Sequence, residues 1–101
     1  MEDLSTVSTF PHFHNFTASS NTTQITLPTN CNAISIGSDV KALYVARNGA
    51  SDGGTVPTNK AFIPKSNYLV INLGRGFNRD GNLYVACQSG SGEISIILEG
   101  D

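Results

Sequence analysis

The chain reads as an all-β protein, an antiparallel two-sheet sandwich of jelly-roll or immunoglobulin-like type with about seven or eight short strands. Apolar and polar residues alternate in Ile25/Leu27, Ile34/Ile36, Leu69/Ile71/Leu73 and Ile94/Ile96/Leu98, the period of two that buries one strand face and leaves the other wet. Every such run is bounded by Gly, Pro, Asn or Asp, the residues that turn a chain. No apolar period of 3.6 persists along the chain, which excludes helix beyond a single turn. A small closed barrel is the runner-up architecture.

At 101 residues the chain has the size of one domain. Residues 1–22 have their own character: Phe10, His12, Phe13, His14 and Phe16 crowd together, and a polar Ser, Asn and Thr tract follows. That segment is too polar to fold alone and too aromatic to be an idle tail. Two readings stand. Either it is a first strand with Phe10, His12, His14 and Phe16 on one face and Phe13 on the other, or it is an arm reaching a neighbouring subunit. The sandwich proper occupies 23–101, with strands expected at Gln24–Leu27, Ala33–Ile36, Ala42–Ala46, Lys60–Ile63, Tyr68–Leu73, Leu83–Cys87 and Ile94–Leu98.

Two of these strands form a near-repeat, Leu43-Tyr44-Val45-Ala46 and Leu83-Tyr84-Val85-Ala86. Parity turns the Leu and Val residues inward and Tyr44 and Tyr84 outward, and suggests a pseudo-symmetric pair of hairpins. Outward tyrosines form a contact face or merely cover the sandwich edge; both readings stay open, since Tyr buries apolar area while its hydroxyl stays wet. The connection Asn48–Thr55, rich in Gly, reads as a flexible loop without a bulky anchor. Ser89–Gly92 is a tight turn into the last strand. Cys87 shares parity with Leu83 and Val85 and is expected inside as a small apolar thiol, while a bridge to Cys31 stays open.

Composition narrows the function. Only 14% of residues are charged, well below the average of about 25%, a surface that repels a neighbouring copy weakly and suits dense assembly. A net charge of −2 with scattered Lys and Arg offers no field for phosphates, so nucleic acid is not expected as a partner. No apolar run is long enough to span a membrane, and the acidic start Met1-Glu2-Asp3 does not read as a signal peptide.

Candidate chemistry is sparse. His12 and His14 lie on one side of a strand, a pair of nitrogens too few for a metal unless symmetry multiplies them. Asp39, Asp52, Asp80 and Glu93 sit in or near turns without the D-x-D spacing of a calcium loop. The segment Gly74–Gly81 combines Arg75, Phe77 and Arg79, residue types favoured at protein interfaces. It lacks the following helix that a phosphate loop requires. No acid lies near either histidine in sequence to orient it as a base, so no catalytic residue, cofactor or enzyme activity is expected.

The runs Ile25-Thr26-Leu27-Pro28, Ala33-Ile34-Ser35-Ile36-Gly37, Leu43-Tyr44-Val45, Leu83-Tyr84-Val85-Ala86 and Ile94-Ser95-Ile96-Ile97-Leu98-Glu99 together resemble small β-sandwich virion proteins of tailed bacteriophages. The resemblance implies a capsid decoration or cement protein, made in the host cytoplasm and placed on the capsid surface, where it bridges major capsid protein subunits. It further implies a homotrimer whose N-terminal arm, here Phe10 to Phe16, clasps the capsid. The alternative is a tail, neck or fibre accessory that binds a partner virion protein or a host-surface glycan through Asn48–Thr55 and Gly74–Gly81. Candidate interface residues are therefore Phe10, His12, Phe13, His14, Phe16, Tyr44, Arg75, Phe77, Arg79 and Tyr84.

Overall fold

The computed structural model describes residues 1–73 and 82–100. Nine strands form among them: β1 (Glu2–Asp3), β2 (His12–Ala18), β3 (Thr23–Thr26), β4 (Cys31–Ser38), β5 (Leu43–Ala46), β6 (Ala61–Ile63), β7 (Asn67–Asn72), β8 (Asn82–Cys87) and β9 (Gly92–Gly100). No helix occurs among the described residues. The strands sort into a five-stranded sheet, β1-β3-β8-β5-β6, and a four-stranded sheet, β2-β9-β4-β7. The pairing is nested, β2 with β9, β3 with β8, β4 with β7 and β5 with β6. The chain from β2 onward is thus one long antiparallel ribbon doubled back on itself. Pairing of β9 with β4 and of β8 with β5 rolls that ribbon into two facing sheets, the order of a jelly roll.

All seven strands expected after residue 22 are present, because each carries the alternation that a half-buried strand needs. Their inward residues meet between the sheets: Ile25, Leu43, Val45, Leu83, Val85 and Cys87 from one, Ile34, Ile36, Ile94, Ile96 and Leu98 from the other, all buried. Each isoleucine or leucine fully withdrawn from water contributes about 1.5–3 kcal/mol.

The N-terminal segment supplies two further strands. β2 pairs along its whole length with β9, placing His12, His14 and Phe16 opposite the buried Leu98, Ile96 and Ile94, and Phe13 on the opposite face. Phe10 and Phe16 pack against the core cluster, as does Val7. The segment is therefore built into the sandwich, and of the three phenylalanines Phe13 alone stands out from it, 69% exposed.

The near-repeat does not make two hairpins. β5 and β8 lie side by side and antiparallel, Val45 opposite Val85, so the two copies pair with each other. β5 does form a hairpin with β6, but β8 passes through Ser89–Gly92 into β9 of the other sheet. The barrel alternative also falls, since the sheets stay separate.

Ser38, buried at the end of β4, holds one corner of the sandwich. Its Oγ donates to the Glu93 carbonyl at 2.7 Å and accepts from the amides of Val40 and Lys41, each at 3.2 Å. Its carbonyl accepts the Ser66 N–H at 2.7 Å. One residue thereby joins β4, β9 and the turn from β6 into β7, and the burial of its hydroxyl is compensated by hydrogen bonds.

Candidate docking surface

The outer face of the four-stranded sheet is built by strand parity. Register sets Phe13 opposite Ile97, Ile97 opposite Ser35 and Ser35 opposite Val70, so one row crosses all four strands. The next row runs Asn15, Ser95, Gly37, Tyr68. Between the edges the face carries the small residues Ser35, Gly37 and Ser95 and the part-buried Ile97, while Phe13 at one side and Val70 and Tyr68 at the other are 69%, 60% and 46% exposed. The row Phe13, Ile97, Val70 is thus an apolar, uncharged band across this face, with the exposed Glu93 and Glu99 of β9 beyond it on either side, the arrangement of an apolar interface core with a polar rim. Gly37 gives the Tyr68 ring room: a Cβ there would stand 2.7 Å from that ring and collide with the Asn67 carbonyl oxygen.

On the outer face of the five-stranded sheet the side chains gather on one another around Tyr44, with Phe62 at the β6 edge 51% exposed. Tyr44 packs its ring 5.8 Å from that of Phe62, the Lys60 ammonium sits 5.1 Å above the same ring, and Gln88 donates to its hydroxyl at 3.4 Å. Tyr44 and Tyr84 stand opposite Ala86 and Ala46. Those alanines are buried although they face outward, so small residues lie beside large rings that shield them. Of the two readings for these tyrosines, covering is the one this arrangement serves; neither is strongly exposed.

The loop after β5 departs from expectation. Residues 51–54 are clasped to the chain ahead of β3: the Thr22 hydroxyl donates toward the carbonyls of Ser51 and, at 3.2 Å, Gly54. Thr22 N–H donates to Gly54 O at 2.9 Å, Gly53 N–H donates to Thr22 O at 2.6 Å, and Asp52 Oδ1 accepts the Gln24 amide at 2.8 Å. The expected flexible loop is instead an anchored one, with the buried Thr22 as its anchor. Sequence missed it because the partners lie about thirty residues away; the one signal was a Thr in a polar tract whose hydroxyl could be buried only if bonded.

The remaining candidates separate widely. His14 Nε2 lies 2.7 Å from Glu2 Oε1, linking β2 to β1 across the open side of the sandwich, and its ring stacks on His12 at 6.3 Å between centroids. No group of three or more metal-ligating side chains gathers among the described residues. Asp52 is taken up by Gln24 and by the Met1 ammonium at 3.6 Å. Cys31 and Cys87 are buried and free, so the bridge between them is not formed. Burial pushes both thiols above their ordinary pKa, with backbone hydrogen bonds opposing the shift, and such thiols are unreactive. Arg75, Phe77 and Arg79 lie outside the described residues. Phe10, His12, His14 and Phe16 are part of the edge and core packing; Phe13 is the predicted residue that this surface uses. Ile97, Val70 and Tyr68 were not singled out, since an outward apolar residue on a strand looks like any other until register aligns it with neighbours.

No helix among the described residues is long and apolar enough to cross a membrane. Comparisons with protein-family models, with curated proteins and with solved structures give no match to this chain.

Proposed function

We propose that this chain is a non-catalytic structural module that acts by adhesion, laying the outer face of its four-stranded sheet on a neighbouring protein. The observation that carries the reading is the apolar row Phe13, Ile97, Val70 with Tyr68 beside it, crossing a face whose other central residues, Ser35, Gly37 and Ser95, are small. A surface of few charges supports it, since docking then desolvates few ions.

The resemblance to phage virion proteins supplies the finer proposal, a decoration or cement protein on the capsid. The jelly-roll order is used by viral capsid domains among many others, so it lends architectural rather than functional support. In this mechanism the module bridges assembled capsid subunits and binds them only when assembled, so occupancy stabilises the shell by mass action. The glycan-binding alternative has less support: the loop 48–55 carries no aromatic ring and spends its backbone groups on Thr22.

The test is Phe13→Ser. The isolated variant should unfold at the same denaturant concentration as the parent, because Phe13 lies outside the core, while its occupancy on purified virions that carry the parent protein falls at least about tenfold, the loss expected when a large aromatic anchor is removed from an interface. Unchanged occupancy, or absence of the parent chain from purified virions, overturns the proposal.

A further inference from the structure

A jelly roll leaves four edge strands, here β1 and β6 of one sheet and β2 and β7 of the other. An edge presents unpaired N–H and C=O groups, and proteins block such edges with shortness, charge, proline or inward-pointing polar side chains. Three of the four are blocked in these ways. β1 is two residues, both acidic, and the rest of the β3 edge behind it is taken by Asp52 and the clasped loop. β6 is three residues between Lys60 and Pro64. β2 follows Pro11 and turns two imidazoles toward the sandwich interior, one of them engaged by Glu2.

β7 carries none of these devices. Its six residues, Asn67-Tyr68-Leu69-Val70-Ile71-Asn72, contain no charge, no proline and no glycine. The phase of its ladder follows from one bond: Leu73 N–H donates to Asn32 O at 2.8 Å. Antiparallel pairs alternate between bonded and non-bonded, and the register from Asn72 opposite Ala33 runs on unbroken. Ile71 and Leu69 therefore bond to β4, and the amides and carbonyls of Tyr68, Val70 and Asn72 face away from it. No bond to those groups is formed by another described residue.

We propose that β7 is a self-association edge, pairing antiparallel with β7 of a second copy of this chain about a two-fold axis at Val70. The occupant follows from symmetry. With Val70 opposite its own copy, Tyr68 faces Asn72 of the partner subunit and the reverse, and all six outward groups on each strand find partners. The same register sets Leu69 against the other copy's Ile71 on the inner side, and both are half-buried hydrophobics at the margin of the core. On the outer face the row Phe13, Ile97, Ser35, Val70 runs on through Val70 of the second copy into one continuous eight-stranded sheet. The contact closes at two, because each copy has one unblocked edge among its described residues and a two-fold interface consumes both. A foreign strand would need side chains that select it, and an uncharged strand that complements itself offers none.

An edge of six residues a side buries less than the roughly 1,200 Å² of a standard interface, so association is reversible and concentration-dependent. Sedimentation equilibrium on the full chain across micromolar to millimolar concentration should show a species of twice the 10.7 kDa chain mass. Val70→Lys sets like charges opposite each other at the axis and should raise the dissociation constant at least tenfold. Because the Val70 side chain is 60% exposed and outside the core cluster, the variant should keep the parent's circular dichroism. An independent reading needs no variant: hydrogen exchange at Tyr68, Val70 and Asn72 should slow as concentration rises, with the Leu69 and Ile71 amides unaffected. A monomer at every concentration, a trimer, or a dimer indifferent to Val70→Lys overturns the proposal. The measurement uses the isolated chain, so it stands or falls separately from docking on virions.

Discussion

The two sheets share one core yet finish their outer surfaces differently. The five-stranded sheet gathers its outward side chains: Phe62, Lys60 and Gln88 close on Tyr44, leaving Phe62 at the β6 edge 51% exposed, and the edge of β3 is capped by β1 and by the loop that Thr22 clasps. The four-stranded sheet leaves Phe13, Val70 and Tyr68 in solvent around a floor of Ser35, Gly37 and Ser95. Both were built by the same alternation, so the difference lies in which residues were placed at outward positions. A protein that only had to fold would gain nothing from an uncovered apolar row; large exposed apolar patches mark interaction sites or liabilities.

The sharpest way to break this contrast is within one strand. Ile96 points into the core at 0% exposure, and its neighbour Ile97 points to the outer face. Ile96→Ala should cost about 2–5 kcal/mol, the transfer energy of the lost carbons plus the cavity they leave. Ile97→Ala should cost clearly less, about 1–2 kcal/mol, since Ile97 is only part-buried on the outer face and its loss leaves no closed cavity. Urea denaturation of the two variants decides: equal costs would mean that the outer face is covered after all, and the contrast between the sheets would vanish.

How far sequence reaches is visible in these same strands. The inward set Ile25, Ile34, Ile36, Val85, Ile94, Ile96 and Leu98 was legible because alternation is a local property of the backbone. Strand order was not, because a strand's own pattern says nothing about its neighbours; β5 beside β8 and β9 between β2 and β4 are decided by long-range packing. β2 was readable only as one of two options, since imidazoles on its inward positions weaken the apolar signal, and the two residues of β1 are too few to show a period. Of the docking surface, Phe13 was legible by its aromatic character, whereas Ile97 and Val70 needed the register before they formed a row with it.

A smaller effect tests the covered sheet. Thr22→Val keeps the volume of the side chain but removes the hydroxyl that holds the carbonyls of Ser51 and Gly54. Losing a buried hydrogen-bonding group should cost about 1–3 kcal/mol. The backbone bonds from Gly53 to Thr22 and from Thr22 to Gly54 remain available, so the fold persists and the loop loosens. Faster hydrogen exchange at Gly53, with strand amides in β8 unchanged, is the expected signature. Unaltered exchange at Gly53 would show that the clasp is held by the backbone alone and that this edge does not depend on Thr22.

The smallest effect concerns the open side, where Glu2 of β1 meets His14 of β2 at 2.7 Å and each side chain is about a quarter exposed. A pair so accessible to water is screened and contributes about 0–1 kcal/mol. Glu2→Gln keeps a hydrogen-bond acceptor beside the imidazole and removes the charge, so global stability should change by less than about 1 kcal/mol, and less still in 1 M salt, where the screening length falls to about 3 Å. The local consequence is larger than the global one, because β1 is tied to β3 by only two residue pairs, and Leu4 N–H donates to Thr26 O at 2.9 Å just beyond them. Exchange at the Leu4 amide should therefore quicken in Glu2→Gln while the β7 edge is untouched. If the variant instead lowers stability by several kcal/mol, the N-terminal strand belongs to the cooperative core. Among the described residues, the sandwich would then have its one unblocked edge at β7, and the N-terminal strand would be held as firmly as the rest.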